Sequence, residues 1–194
     1  MLSVHDVNWN SKSTRVLDFA CGTGLITRNL QDHVSKILGV DISEKMIEIY
    51  NKKFENNDNI HGICTDILSS DFNDEISTDF DVIVIANALH HLGDPKGVLL
   101  KLSSYLKPGG HVIVLDFFNC KETHEGRSQL FPKHADHASC MASHIHGFTP
   151  EQFEDMFKSI GLSEVVTDTS SWQYEFEKDG EKFYMKYILG HGKK

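Results

Sequence analysis

Apolar residues in this chain fall into short runs, and between the runs they recur every three or four positions. Val16, Leu17 and Phe19 form the first run. It reads as a buried strand that carries Asp18 near its end and breaks into the loop Ala20-Cys21-Gly22-Thr23-Gly24. Helical spacing resumes at Leu25, Ile26 and Leu30, so residues 15–31 predict a strand, a glycine loop and a helix. A second strand is expected over 36–41, again ending in an acid, Asp41. Ser43 suits an N-cap with Glu44 in the first turn, and Met46, Ile47, Tyr50 and Phe54 share one helical stripe. The asparagines at 56–59 mark a turn into a third strand over 60–65, closed by Asp66.

Residues 68–79 are polar and acidic and read as a solvated excursion. The most apolar run, FDVIVIA at 80–86, suits a strand covered on both faces. A loop over 87–91 follows, and Asp94-Pro95 opens a helix with Val98, Leu99, Leu102, Tyr105 and Leu106 inward. Lys107-Pro108-Gly109-Gly110 stops that helix, and 111–116 is the fifth strand. No period emerges over 117–147, which reads as a lid-like loop. Thr149-Pro150-x-Gln152 is a capping box, with Phe153, Met156, Phe157 and Ile160 repeating helically up to Gly161. Strands over 164–169 and 183–189 close the chain.

Alternation of strand and helix through Asp116 predicts an α/β fold, a doubly wound and mostly parallel sheet with right-handed crossovers. Seven strands are expected, the last antiparallel, in a single domain over 1–194 with a short N-terminal extension at 1–14. In such sheets the ligand lies outside the carboxyl ends of the strands, where Asp18, Asp41, Asp66 and Asn87 all fall.

Composition narrows the partners. A net charge of −9 argues against nucleic acid, whose phosphates are met by Lys and Arg. No apolar run approaches membrane-spanning length, and residues 1–13 resemble neither a signal nor a transit peptide. Four widely spaced cysteines suit reduced thiols, with Cys21 and Cys64 at buried strand ends, so a cytoplasmic setting is expected.

The glycine loop indicates a ligand held against backbone N–H groups, with Gly22 and Gly24 letting a large, flat group approach. The dinucleotide pattern G-x-G-x-x-G is incomplete, because Thr27 stands at its third position. Asp18 would repel a pyrophosphate but attract an ammonium, which favours a ligand with a cationic amino-acid end and a ribose. Asp41 sits where an acid accepts both ribose hydroxyls, a placement shared with NAD enzymes, so it reports a ribose without naming the cofactor.

Asp18-Phe19-Ala20-Cys21-Gly22-Thr23-Gly24 resembles the first motif of class I S-adenosylmethionine-dependent methyltransferases. LKPGGHVIVLDF at 106–117 looks like a further motif of that family, and the resemblance runs from about residue 15 to 116. Ala88-Leu89-His90-His91-Leu92 and His146-Gly147-Phe148 resemble the small-molecule branch, the ubiquinone-biosynthesis-type enzymes and related fungal proteins. The resemblance implies a Rossmann-like methyltransferase fold, S-adenosylmethionine as cofactor and a small-molecule methyl acceptor. It also implies that Asp18, Ala20, Cys21, Gly22, Thr23, Gly24 and Met46 belong to the cofactor site. Asp41 would take the ribose and Ile42 would pack on the adenine, whose amino group Asp66, with Ile67 beside it, would meet. Ala86 and Asn87 would line the methionine end.

His90 and His91 follow the fourth strand, where one of them can serve as general base, with His146 also facing the acceptor. The competing reading of His91 is a backbone hydrogen bond in the crossover. His134, His137, Cys140, His144 and His146 lack the paired short spacing of a structural zinc site and read as a polar lid, with no metal expected. Relatives carry one or two helices before the first strand, whereas residues 1–14 are too short for them. That departure keeps a non-catalytic binding or regulatory protein as the alternative, with an NAD-dependent oxidoreductase third.

Overall fold

The computed structural model describes residues 2, 4, 6–69, 76–131, 144 and 146–194. Among the described residues there are eight strands, beginning with β1 (Arg15–Phe19), α1 (Leu25–Leu30), β2 (Lys36–Asp41), α2 (Glu44–Lys53), β3 (Ile60–Cys64) and β4 (Phe80–Ala86). A 3-10 turn at Leu89–His91 leads to α3 (Pro95–Ser104), β5 (Leu106–Phe117), α4 (Lys121–Leu130) and α5 (Pro150–Ser159). β6 (Ser163–Asp168), β7 (Gln173–Lys178) and β8 (Glu181–Lys193) complete the chain.

The sheet runs β3-β2-β1-β4-β5-β8-β6, with β7 paired to β8 off this path. β1 to β5 are parallel neighbours, and β8 lies antiparallel between β5 and β6. The doubly wound, mostly parallel architecture with an antiparallel final strand is as the alternation predicts.

Strand alternation divides the core into two layers. Leu17, Ile83, Ile85, Val112 and Val114 pack with Val98, Leu99 and Leu102 of α3 and Phe153 and Phe157 of α5. On the other face Val16, Val82, Val84, Ile113 and Leu115 belong to the layer holding Leu30, Ile47, Tyr50 and Phe54. The caps form as expected: Ser43 accepts from Met46 N–H, Asp94 from Gly97 N–H, and Thr149 and Gln152 make a reciprocal box.

Two expectations fail for physical reasons. The sheet has eight strands rather than seven, because β7 forms a hairpin with β8. The QYEFEK segment of β7 is almost wholly exposed, so it carries no buried alternation to betray a strand. The lid-like loop over 117–147 contains a helix, α4, whose only buried residues are Thr123 and Gly126. Thr123 Oγ1 accepts from Lys186 N–H at 3.1 Å and donates to Lys186 O at 3.2 Å. A Cβ on Gly126 would lie 2.3 Å from Tyr184 O, so the helix rests directly on the β8 backbone. A helix that docks through a hydroxyl and a bare Cα shows no apolar stripe in its sequence.

Among the described residues no helix is long and apolar enough to cross a membrane.

Candidate functional site

β1 and β4 are neighbours, and each leaves the sheet through a residue with left-handed backbone: Ala20 (φ 54°) after β1 and Asn87 (φ 54°) after β4. Asparagine tolerates that conformation; alanine is strained there, and such strain persists where the surroundings enforce it. Cys21 N–H donates to Val40 O at 3.1 Å, tying the loop after β1 to β2, and Asn87 N–H donates to Leu115 O at 2.8 Å.

The two glycines of the loop serve different ends. Gly22 has φ 50°, and nothing lies within 4 Å of where its Cβ would be. This position opens outward, as a ligand-facing glycine requires. Gly24 (φ 79°) faces inward instead, for its Cβ would lie 2.5 Å from the Phe54 ring and 3.0 Å from Tyr50. The expectation that both glycines clear the way for a ligand is therefore corrected at Gly24, which makes room for α2. Lys53 Nζ reaches back to the carbonyl of Thr23, closing the same contact from the end of α2.

Asp41, half-buried at the tip of β2, is shared between two backbone groups. Oδ2 accepts from Gly22 N–H at 2.9 Å and Oδ1 from Ser43 N–H at 2.9 Å. It thus couples the glycine loop to the start of α2. Each carboxylate oxygen still has a second lone pair. Beside it Ile42 is 76 % exposed, the most open large hydrophobic side chain among the described residues. Met46 was expected on the inner stripe of α2, but it is 39 % exposed while Ile47, Tyr50 and Phe54 are buried. Asp66 is exposed beyond β3, and its Oδ1 accepts from Leu68 N–H at 2.9 Å. Ile67 turns the other way, into the core with Val40 and Ile76, so it offers no face to an adenine. Cys64, expected buried, is exposed.

Asp18 is placed differently from its expected role. It is 1 % exposed, and its Oδ2 accepts from Thr27 Oγ1 at 2.6 Å, the hydroxyl that also meets Tyr50 OH at 2.9 Å. Burial pushes its carboxyl up to about 6, with hydrogen bonds from Thr27 pulling the other way and Asp41 adding to the rise. The carboxylate lies under the loop and touches no open space, so direct attraction of an ammonium is not what this geometry provides. Thr27, which replaces the third glycine of the dinucleotide pattern, is the residue that holds Asp18. The Tyr50 ring fits because Gly39 and Gly62, partners across β2 and β3, have no Cβ there; one on either would lie 2.6 or 2.7 Å from it. Burial, followed by the charges of Asp18 and Asp41, pushes the Cys21 thiol well up, so Cys21 serves through its backbone.

At the tips of β4 and β5 a second constellation appears. His90 and Asp116 are both buried, with His90 Nδ1 2.7 Å from Asp116 Oδ1. Asp116 Oδ2 accepts from His90 N–H at 3.1 Å, and Oδ1 from Phe117 N–H at 2.7 Å. The exposed His91 ring lies 3.9 Å from that of His90, and Phe117 stands 4.9 Å away on another side. Phe117 in turn stacks on Tyr187 at 5.3 Å and lies under the Arg127 guanidinium at 4.3 Å. The sequence reading missed Asp116, Thr27 and Arg127. Asp116 had the same signal as the others, an acid closing an apolar strand. His146 is exposed and sits with its ring 4.9 Å from His124, whose Nε2 meets Asn119 Oδ1 at 2.9 Å. Among the described residues no cluster of three side chains could hold a metal; His134, His137 and Cys140 lie outside them.

A methyltransferase-domain model matches residues 4–167. The chain belongs to that methyltransferase family. It is 37 % identical over 161 residues to an uncharacterized methyltransferase of Schizosaccharomyces pombe, covering 80 % of this chain and 55 % of that protein. Identity to the ubiquinone/menaquinone biosynthesis C-methyltransferase UbiE of Wigglesworthia glossinidia brevipalpis is 30 % over 113 residues, or 57 % of this chain and 45 % of that one. The chain spans about half the length of these curated relatives. Two solved structures share the methyltransferase chain's fold. The YcgJ protein of Bacillus subtilis matches with a TM-score of 0.71 at 17 % identity, covering 100 % of this chain and 96 % of its own. The plantazolicin methyltransferase BpumL, solved with S-adenosylhomocysteine, matches with a TM-score of 0.65 at 20 % identity, over 91 % and 75 %.

Proposed function

We propose that this chain transfers a methyl group from S-adenosylmethionine to a small-molecule acceptor, leaving S-adenosylhomocysteine, as a single methyltransferase domain. The observation that carries the reading is the tip of β2. There Asp41 is braced by Gly22 and Ser43 N–H groups and keeps free lone pairs, beside an isoleucine left 76 % exposed. A diol on the carboxylate and a flat apolar base on the side chain satisfy both at once, which is what an adenosine offers.

Asp41 takes the ribose hydroxyls, Ile42 and Met46 cover the adenine, and Asp66 lies at its polar edge. Gly22, with open space where a Cβ would point, admits the amino-acid end against the backbone of Ala20, Cys21 and Thr23. Asn87 lies across from them at the neighbouring strand tip. Asp18 acts from below, by holding Thr27 and the start of α1 in place. When bound, the sulfonium supplies an already activated methyl group. The protein's contribution is then to orient acceptor and donor in line and to exclude water. A net charge of −9 disfavours nucleic acid as the acceptor, and the separate cysteines suit a reducing, cytoplasmic setting.

Isothermal calorimetry with S-adenosylhomocysteine tests the reading. Micromolar binding is expected, weakened by about 1–3 kcal/mol in Asp41→Ala, the scale for stranding polar partners. Absence of binding to the folded protein overturns it. Single-turnover transfer from labelled donor then separates a catalyst from a protein that only binds.

A further inference from the structure

We infer that Asp116 is a positioning residue that fixes His90 with a bare Nε2, and that the acceptor is one that must lose a proton. The inference rests on the methyl-transfer reading of the same site, but its evidence lies apart from the cofactor residues. A carboxylate only accepts, and Asp116 already takes the N–H groups of His90 and Phe117. Its contact with His90 Nδ1 at 2.7 Å therefore requires the proton to sit on Nδ1. That leaves Nε2 as the basic nitrogen. Nε2 takes no hydrogen bond from a described residue. Nor is it sealed in, for among the described residues the buried side-chain polar atoms left unpaired are Trp9 Nε1, Arg15 Nε and Tyr105 OH.

A buried histidine oriented by a buried carboxylate, with its second nitrogen open, is the arrangement of a general base. Methylating a thioether or a tertiary amine needs no base, so that machinery would be idle there. It has a use when the acceptor is a hydroxyl or an acidic carbon. The acceptor's proton passes to His90 Nε2, and the electron pair it leaves on oxygen or carbon forms the new bond to the methyl carbon. The carbon–sulfur bond breaks with its pair retained by sulfur, giving the neutral thioether. The imidazolium faces Asp116 until it returns its proton to water. Phe117, buried between Tyr187 and the Arg127 guanidinium, packs against the His90 ring and helps hold it in place.

The test uses the full chain with Asp116→Asn and His90→Gln. Calorimetry with S-adenosylhomocysteine should give affinities within about 2-fold of the parent for both variants. If the parent itself does not bind, the methyl-transfer reading fails, and the tautomer measurement still stands on its own. In protein labelled with 15N-histidine, the parent His90 is expected as the Nδ1–H tautomer. In Asp116→Asn the carboxamide can donate to Nδ1, and the tautomer should switch to Nε2–H, as the same change does in a serine-protease triad. An Nε2–H tautomer in the parent overturns the inference. With catechol as probe acceptor and labelled donor, methyl ether formation should fall by on the order of 10²-fold in both variants. A rate in Asp116→Asn within 2-fold of the parent, or methylation of dimethyl sulfide in preference to catechol, also overturns it.

Discussion

At the tip of β2, Asp41 is half open and braced by backbone N–H groups, whereas under the glycine loop Asp18 is enclosed and gripped by a side-chain hydroxyl. The same contrast recurs between Asp66, exposed past β3, and Asp116, closed in at the end of β5. Four acids stand at corresponding strand ends, yet two form a rim and two form a floor. The rim acids have lone pairs to offer a ligand. The floor acids hold other groups of the protein, Thr27 in one case and His90 in the other, in a single orientation. A carboxylate at a strand tip is thus no evidence of ligand contact until its burial and its partners are known.

The largest effect on this contrast comes from removing the floor's support. Tyr50→Ala leaves a cavity against Gly39 and Gly62 and strips Thr27 of a partner, and should destabilise the fold by about 4 kcal/mol in urea unfolding. A loss below about 1 kcal/mol would mean that the buried network carries no weight.

Next in size is Asp18→Asn. Because the carboxyl rises from 3.8 to about 6 on folding, the native state binds the extra proton between those pH values, and stability falls as pH rises through that window. Below it the parent and the variant should be alike. Above it the variant should be the more stable by up to about 3 kcal/mol. His111 and His191, 2.8 Å apart near the opposite end of the sheet, are pushed down by burial, and their contribution is lost as pH falls. Their slope has the opposite sign, so the parent-minus-variant difference is the quantity to measure.

Gly24→Ala and Gly22→Ala come third. Both force alanine into left-handed backbone at about 1–2 kcal/mol, but only Gly24→Ala also drives a Cβ into Phe54. Thermal melts should therefore rank Gly24→Ala clearly below Gly22→Ala, while calorimetry should find weakened S-adenosylhomocysteine binding in Gly22→Ala despite its milder melt. The smallest effect is Ile42→Ser. Its stability should stay within about 0.5 kcal/mol of the parent, since the side chain is exposed, while affinity falls by about 1 kcal/mol. An unchanged affinity would remove Ile42 from the rim.

The sequence alone determined the alternation of elements, the caps at Ser43, Asp94 and Thr149, the glycine loop, and the presence of acids at successive strand ends. These are local patterns, set by side-chain period and by turn chemistry within a few residues. It left α4 and β7 unseen, because Thr123 and Gly126 dock through the backbone of a strand some sixty residues away and β7 buries almost nothing. Only the tertiary structure decided which acids face out. Asp18 meets Thr27 nine positions on, and Asp116 meets His90 twenty-six positions back. Whether a carboxylate is available to a ligand depends on partners that the fold brings together, and no local pattern around Asp18 or Asp116 records them.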